Sequence, residues 1–355
     1  MSRFAATDAS TSASCAGPCC GLSRRGFLGG MAAASFAAPR FASAQTPAPR
    51  TLIDVHHHYY PPVFKEASAR SGSKTPLVQD WTVARSIEEM DKNGVSRGIL
   101  SMSSVPNEEF VRGEKQHVRG LTREINEFAA KMQQDYPKRY ASFAFLPMVD
   151  VDGTLAEIAY ALDTLKAVGV GIMTSWGNNW PGDPLFAPIF EELNRRKAIV
   201  YFHPLAPDCC GNLVPGIPDS VLEYPIDTSR AILNMLALGT FRKYPDIKFI
   251  FSHGGATIPV MADRAAGLMR AKEFMPDGID AEMHKLYFET ANASQAPMFS
   301  ALTKYMPNSQ LLFGTDFPYV TTAHNLEGLR GFGLKDAELR AIESGNALRL
   351  MPSLA

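Results

Sequence analysis

Short β-rich runs alternate with longer amphipathic stretches from residue 51 almost to the end of the chain, and this alternation restricts the fold more than any other feature. The runs are 51–55, 97–102, 140–146, 168–173, 198–203, 247–252, 285–290 and 310–313. Between them lie stretches with helical periodicity, among them 83–93, 120–135, 153–167, 187–197, 228–243 and 257–273. Gly94 and Gly169 read as glycines closing two of these helices, and Tyr136-Pro137 and Tyr244-Pro245 as stops of two others. Strands that alternate with helices pair in parallel. Eight such units in about 300 residues predict a single-domain (β/α)8 barrel over 51–355 rather than an open sheet. The stretches 59–80 and 204–224 read as long loops, the kind that build a barrel's site.

The N-terminus is of another kind. Ser23-Arg24-Arg25-Gly26-Phe27-Leu28 precedes an Ala/Gly-rich stretch, Gly29 to Ala38, and then Ala42-Ser43-Ala44. Basic, apolar, then small-x-small is the order of an export signal, and the paired arginines resemble the bacterial twin-arginine type. Residues 1–44 are therefore expected to be a cleaved signal, 45–50 a short linker, and the mature protein periplasmic. The apolar stretch is too short for a membrane anchor. The charge of −1 over 355 residues gives no support for nucleic-acid binding. Cleavage would also remove Cys15, Cys19 and Cys20, leaving the neighbours Cys209 and Cys210. Consecutive Cα atoms stand ~3.8 Å apart, and disulfides favour ~5.5 Å, so no disulfide is expected.

The chemistry lies at the ends of four runs. In Asp54-Val55-His56-His57-His58, strand alternation puts His56 and His58 on one face and His57 on the other. His203 ends the fifth run, His253 the sixth, and Asp316 follows the eighth. All belong to one rim of a barrel. Imidazoles turned into a small barrel are costly unless a metal satisfies them, and histidines with a carboxylate suit a divalent cation with one position open. His57, His117, His284 and His324 fall outside the pattern and read as surface or structural residues. Trp176 and Phe317 sit near run ends where they could flank an aromatic ring.

These motifs carry a resemblance. Asp54-x-His56-x-His58-x-x-Pro61, His203-Pro204, Ser252-His253-Gly254-Gly255 and Gly314-Thr315-Asp316-Phe317-Pro318 resemble the amidohydrolase superfamily, over nearly all of 51–350. More narrowly they resemble its aminocarboxymuconate-semialdehyde decarboxylase branch, and the stretch from His203 to Arg230 is most similar to 6-methylsalicylate decarboxylases. The resemblance implies one Zn²⁺ or Mn²⁺ held by His56, His58, His203 and Asp316, with His253 a catalytic residue beside the metal. It implies that Arg264 contacts a substrate carboxylate, in some members across a dimer interface, and that the protein is a dimer or tetramer. The implied activity is non-oxidative decarboxylation of a small hydroxylated aromatic or unsaturated acid. The alternative is hydrolysis of a lactone, amide or ester at the same site, with Asp316 taking the proton of the attacking water; in decarboxylation Asp316 or His253 would deliver the proton to the ring carbon.

Two departures matter. The fourth run has no lysine to bridge a second metal. The loop after the first run offers Lys65, Arg70, Lys74 and Arg85 but no match to the branch's arginine, which argues against aminocarboxymuconate semialdehyde as substrate.

Overall fold

The computed structural model describes residues 50–72, 75–269 and 272–355. The expected signal 1–44 and all of the linker but Arg50 lie outside the described residues.

Eight parallel strands follow one another in chain order: β1 Ile53–His58, β2 Arg97–Ser101, β3 Tyr140–Phe145, β4 Gly169–Met173, β5 Ile199–His203, β6 Lys248–Phe251, β7 Tyr287–Glu289 and β8 Leu311–Leu312. The ring closes between the last strand and the first. Val55 N donates to Phe313 O at 3.0 Å, Asp316 N to His56 O at 2.9 Å, and His58 N to Phe317 O at 2.9 Å. One long helix follows each strand: α1 Val83–Asn93, α2 Lys115–Asp135, α3 Val151–Asp163, α4 Ala187–Arg195, α5 Glu223–Ala237, α6 Ile258–Leu268, α7 Ala296–Tyr305 and α8 Thr322–Gly331. This is the (β/α)8 barrel that the alternation predicts.

Two apolar layers hold it. Ile53, Val55, Ile99, Phe143, Tyr201 and Ile250 point inward and fill the barrel, and Ala347, Met351 and Leu354 pack against them from the C-terminal segment. The intervening strand residues, Leu100, Val200, Phe202 and Phe251 among them, face the helices. This alternation follows from the two-residue period of a strand.

Several boundaries depart from expectation. Gly94 does close α1, in the left-handed conformation at φ 73°. Gly169 does not close a helix: α3 ends at Asp163, and Gly169 opens β4, where a side chain would strike the backbone of Ile199. The expected helix 228–243 breaks at Gly239, whose φ is 72°. The loop after β1 contains two short helices, Pro62–Arg70 and Pro76–Gln79. Cys209 and Cys210 form a disulfide, against expectation. They lie in a tight turn, where Cys210 N and Gly211 N both donate to Pro207 O.

Candidate metal centre

A bulge in β1 builds the floor of the site. Asp54 pairs with Gly98 but His57 pairs with Leu100, so β1 carries one residue more than β2 in this stretch. With regular alternation, Val55 and His57 would share the inward face. The extra residue reverses the sense, so that His56 and His58 turn in and His57 turns out. Asp54 then lies on the side of His57: its Oδ2 is 2.9 Å from His57 Nδ1 and also accepts from Thr315 Oγ1 at 2.6 Å. His57 continues to Ser86 Oγ at 2.7 Å and stacks on Phe317 at 4.9 Å. It is structural, as expected.

Each inward histidine has its Nδ1 engaged from behind. His56 Nδ1 is 2.8 Å from Glu289 Oε1, His58 Nδ1 is 3.0 Å from Ser101 O, and His203 Nδ1 is 2.9 Å from Pro204 O. All three partners are acceptors, so the proton of a neutral ring resides on Nδ1 and Nε2 is a lone pair. The Nε2 atoms of His56 and His58 face each other at 2.9 Å, and Asp316 Oδ1 lies 3.0 Å from the latter and 3.3 Å from the former. One donor atom from each of His56, His58, His203 and Asp316 lies within 4.8 Å of the others, and all four residues are buried. Lone pairs and a carboxylate converge here without a matching donor, an arrangement that calls for a cation. For metal–ligand bonds of ~2.1 Å, neighbouring ligands stand ~3.0 to ~3.4 Å apart, close to the 2.9, 3.0 and 3.3 Å among His56, His58 and Asp316. The residues fit a divalent metal.

The electrostatics agree. Burial disfavours the imidazolium of His56, but Glu289 and Asp316 outweigh it and raise its pKa to about 10. Burial, with the neighbouring imidazoles, holds His58 low and His203 well below the ordinary range. Burial alone would raise Asp316, yet His56, His253 and His58 keep its carboxyl well below the usual range. The site favours one positive charge at its centre.

His253 stands beside this cluster. Its backbone N donates to Glu289 Oε1 at 2.6 Å, and its ring Nε2, 3.4 Å from Asp316 Oδ2, makes no hydrogen bond. Asp316 Oδ2 accepts instead from Asn292 Nδ2 at 2.7 Å. His253, Ala256, Asn292 and Asp316 all have positive φ, from 53° to 64°. Such strained backbone concentrates where side chains must be aimed at one point.

The cluster opens into a cavity of about 810 Å³ lined by His203, His253, Asn292 and Asp316, with Tyr224, Pro225, Ala256, Met298, Tyr319 and Val320 among its walls. The expected substrate contacts lie elsewhere. Trp176 is buried against Phe145, and Phe317 lies behind His57 and lines a separate cavity of about 220 Å³ with Trp81. Both lie in loops past the strand ends, Trp176 beyond Met173 and Phe317 beyond Leu312, and their rings pack on Phe145 and on His57 rather than into the cavity. Arg264 is exposed on α6 and is not part of the cavity lining. Lys65 and Arg85 bond to carbonyl groups of their own loop, and Arg70 pairs with Glu109. Lys74 lies outside the described residues.

Glu289 and Asn292 were missed by the sequence reading. The available signal is a lone carboxylate directly after Leu286-Tyr287-Phe288 in the seventh run, followed by Thr-Ala-Asn.

The amidohydrolase family profile matches residues 53–352. A decarboxylase of Aspergillus niger, yanB, is 33% identical over 321 residues, covering 84% of this chain and 87% of its own. The 6-methylsalicylic acid decarboxylase of Penicillium expansum is 32% identical over 318 residues, covering 85% and 96%. Among solved structures, an amidohydrolase II is 31% identical with a TM-score of 0.76, covering 85% of this chain and all of that one. A 2,6-dihydroxybenzoate decarboxylase shares the fold, with a TM-score of 0.75 at 19% identity, covering 85% and 99%.

Proposed function

Because this chain belongs to the amidohydrolase family, we propose that its three-histidine, one-aspartate cluster binds a single divalent cation, Zn²⁺ or Mn²⁺, and that the protein is a non-oxidative decarboxylase of a small hydroxylated aromatic acid. The observation that carries this reading is the convergence of four buried ligand atoms on the floor of a cavity, in a chain 32–33% identical to decarboxylases over most of its length.

A bound cation would supply Lewis acidity toward the substrate's carboxylate and a neighbouring oxygen. The protein must then deliver a proton to the ring carbon that bears the carboxylate. Once that carbon is protonated, the C–C bond breaks, its electron pair restores the aromatic ring, and CO2 leaves. We assign this proton transfer to His253. Its Nε2 makes no hydrogen bond, standing 3.4 Å from Asp316 Oδ2, and its ring lines the cavity, whereas both oxygens of Asp316 are engaged, by the histidines on one side and Asn292 on the other. Proton delivery of this kind is worth ~10²–10⁴-fold. Tyr224, Pro225, Met298 and Val320 offer flat and apolar wall to the ring.

The test is turnover by metal-loaded protein on a panel of hydroxybenzoates, scored by CO2 and phenol formation, with lactones alongside. About one metal per chain and release of CO2 are expected. Lactone opening without CO2 would replace decarboxylation by hydrolysis.

We infer further that residues 1–44 direct export by the twin-arginine route, and that the protein assembles as a dimer or tetramer. The exposed stripe Val260, Arg264 and Leu268 on α6 supports a contact between copies and gives Arg264 a place to meet a partner's substrate. No described helix is long and apolar enough to cross a membrane. A reporter fused to residues 1–50 should leave the cytoplasm only while Arg24 and Arg25 are intact, and sedimentation should give the mass of at least two chains.

A further inference from the structure

We infer that Asn292 is a positioning residue for Asp316, holding the outer carboxylate oxygen so that the inner one alone is offered to the cation. The inference rests on the metal reading above and adds a residue that the ligand motifs do not contain.

The two oxygens of Asp316 lead separate lives. Oδ1 faces His58 Nε2 at 3.0 Å and His56 Nε2 at 3.3 Å, at the centre of the ligand cluster. Oδ2 points away from it and accepts from Asn292 Nδ2 at 2.7 Å. A carboxylate free to turn about its last bond could offer both oxygens to a cation or swing out of reach. A charge-assisted hydrogen bond to one oxygen removes that freedom.

The donor is itself fixed from behind. Asn325, on α8, is fully buried. Its Oδ1 accepts from Asn292 N at 3.0 Å and from Ser294 Oγ at 3.3 Å, and its Nδ2 donates to Thr315 O at 2.8 Å. Thr315 directly precedes Asp316. One buried amide therefore ties the loop after β7 to the loop after β8 and sets the separation between donor and ligand. Asn292 has φ 54° and Asp316 φ 64°. Asparagine and aspartate are the non-glycine residues that tolerate this region best. Both loops thus take the backbone conformation that points these side chains at each other.

The variant Asn292→Gly tests this, because glycine accepts the same φ while removing the donor. Zn²⁺ and Mn²⁺ affinities are measured by chelator competition on the metal-free full chain. The expected result is about 10–100-fold weaker binding, the usual cost of losing an outer hydrogen-bond partner of a metal ligand. Metal affinity is the deciding readout, since Asn292 also lines the cavity and its loss can move kcat and KM together. In an Asp316→Ala background, where no side-chain oxygen is left for Asn292 to hold, adding Asn292→Gly leaves the remaining metal affinity unchanged. Wild-type affinity in Asn292→Gly, or an equal loss in both backgrounds, overturns the inference. Asn292→Ala carries the same expectation and the same refutation if the glycine variant loses its cooperative melt. A wild-type protein that takes up no metal overturns the reading of the site itself, which is a separate result.

Discussion

One oxygen of Glu289 accepts from two residues of the site: Nδ1 of His56 at 2.8 Å and the backbone N–H of His253 at 2.6 Å. The carboxylate sets the tautomer of a proposed metal ligand and fixes the turn that presents the proposed acid. Its other oxygen accepts from Ala291 N at 2.6 Å, so the buried group has no room for an amide N–H2. Glu289→Gln would set a donor against a donor. We predict metal affinity about 10–100-fold lower, with turnover reduced at saturating metal, measured by calorimetric titration and CO2 release. Metal binding equal to wild type would mean that His56 is oriented by something else.

How far the sequence reveals this site depends on the distance over which each residue acts. The eight strands and the ligands at their ends are legible because period-two patterning and strand ends are local properties. The inward aim of His56 and His58 has a less visible source. Strand alternation correctly places them on one face, but it is the bulge between Asp54 and His57 that makes this the inner face. A bulge is defined against the neighbouring strand, and β1 alone does not display it. Glu289 and Asn292 are illegible for a related reason: their role exists only once barrel closure brings the end of β7 within reach of His56 on β1 and Asp316 after β8. Trp176 and Phe317 show the opposite error. Nearness to a strand end was read as nearness to the cavity, but each ring turns toward the packing layer behind it.

Gly314 offers a test of how tightly this arrangement is packed. A Cβ there would land on the Glu289 carboxylate and lie 3.0 Å from Cβ of His56. Neither neighbour has space to move, since both are fully buried. Gly314→Ala is predicted to destabilise the fold by about 1–3 kcal/mol through overpacking and to weaken metal binding by displacing Glu289. Thermal melts with and without metal measure the two effects. An unchanged melting temperature would show that the wall between β7 and β8 yields more readily than its packing implies.

His253 and His203 should separate catalysis from metal retention. His203 contributes a ligand atom to the four-residue cluster, whereas His253 lies outside those four, lining the cavity and grouped with His56 and Glu289. His253→Ala is predicted to keep about one metal per chain and to lose ~10²–10⁴-fold in kcat. His203→Ala is predicted to lose most of its metal. Metal analysis on the purified variants decides the matter: a metal-free His253→Ala protein would make His253 a ligand and require another proton donor.

Metal uptake should be coupled to the loss of one proton. Without metal, Glu289 and Asp316 outweigh the burial of His56 and raise its pKa to about 10, so near pH 7 the cluster holds a proton, with the Nε2 atoms of His56 and His58 2.9 Å apart to share it. His58 and His203 are held below the ordinary range and are neutral there, so the cation has a single proton to displace. Apparent affinity should therefore rise about tenfold per pH unit from pH 7 and level off near 10. The same group gives a sign for stability. Its folded pKa lies above the unfolded value of 6.5, so its contribution to the metal-free fold is complete below about 6.5 and is lost as pH rises toward 10. The metal-free melting temperature should fall across that window, while the metal-loaded protein, whose cation replaces the proton, should change less. Titration calorimetry in buffers of different ionisation enthalpy counts the proton directly. A count near zero at pH 7.5 would show that the histidines meet the metal already neutral, and that the carboxylates around His56 are balanced by another charge.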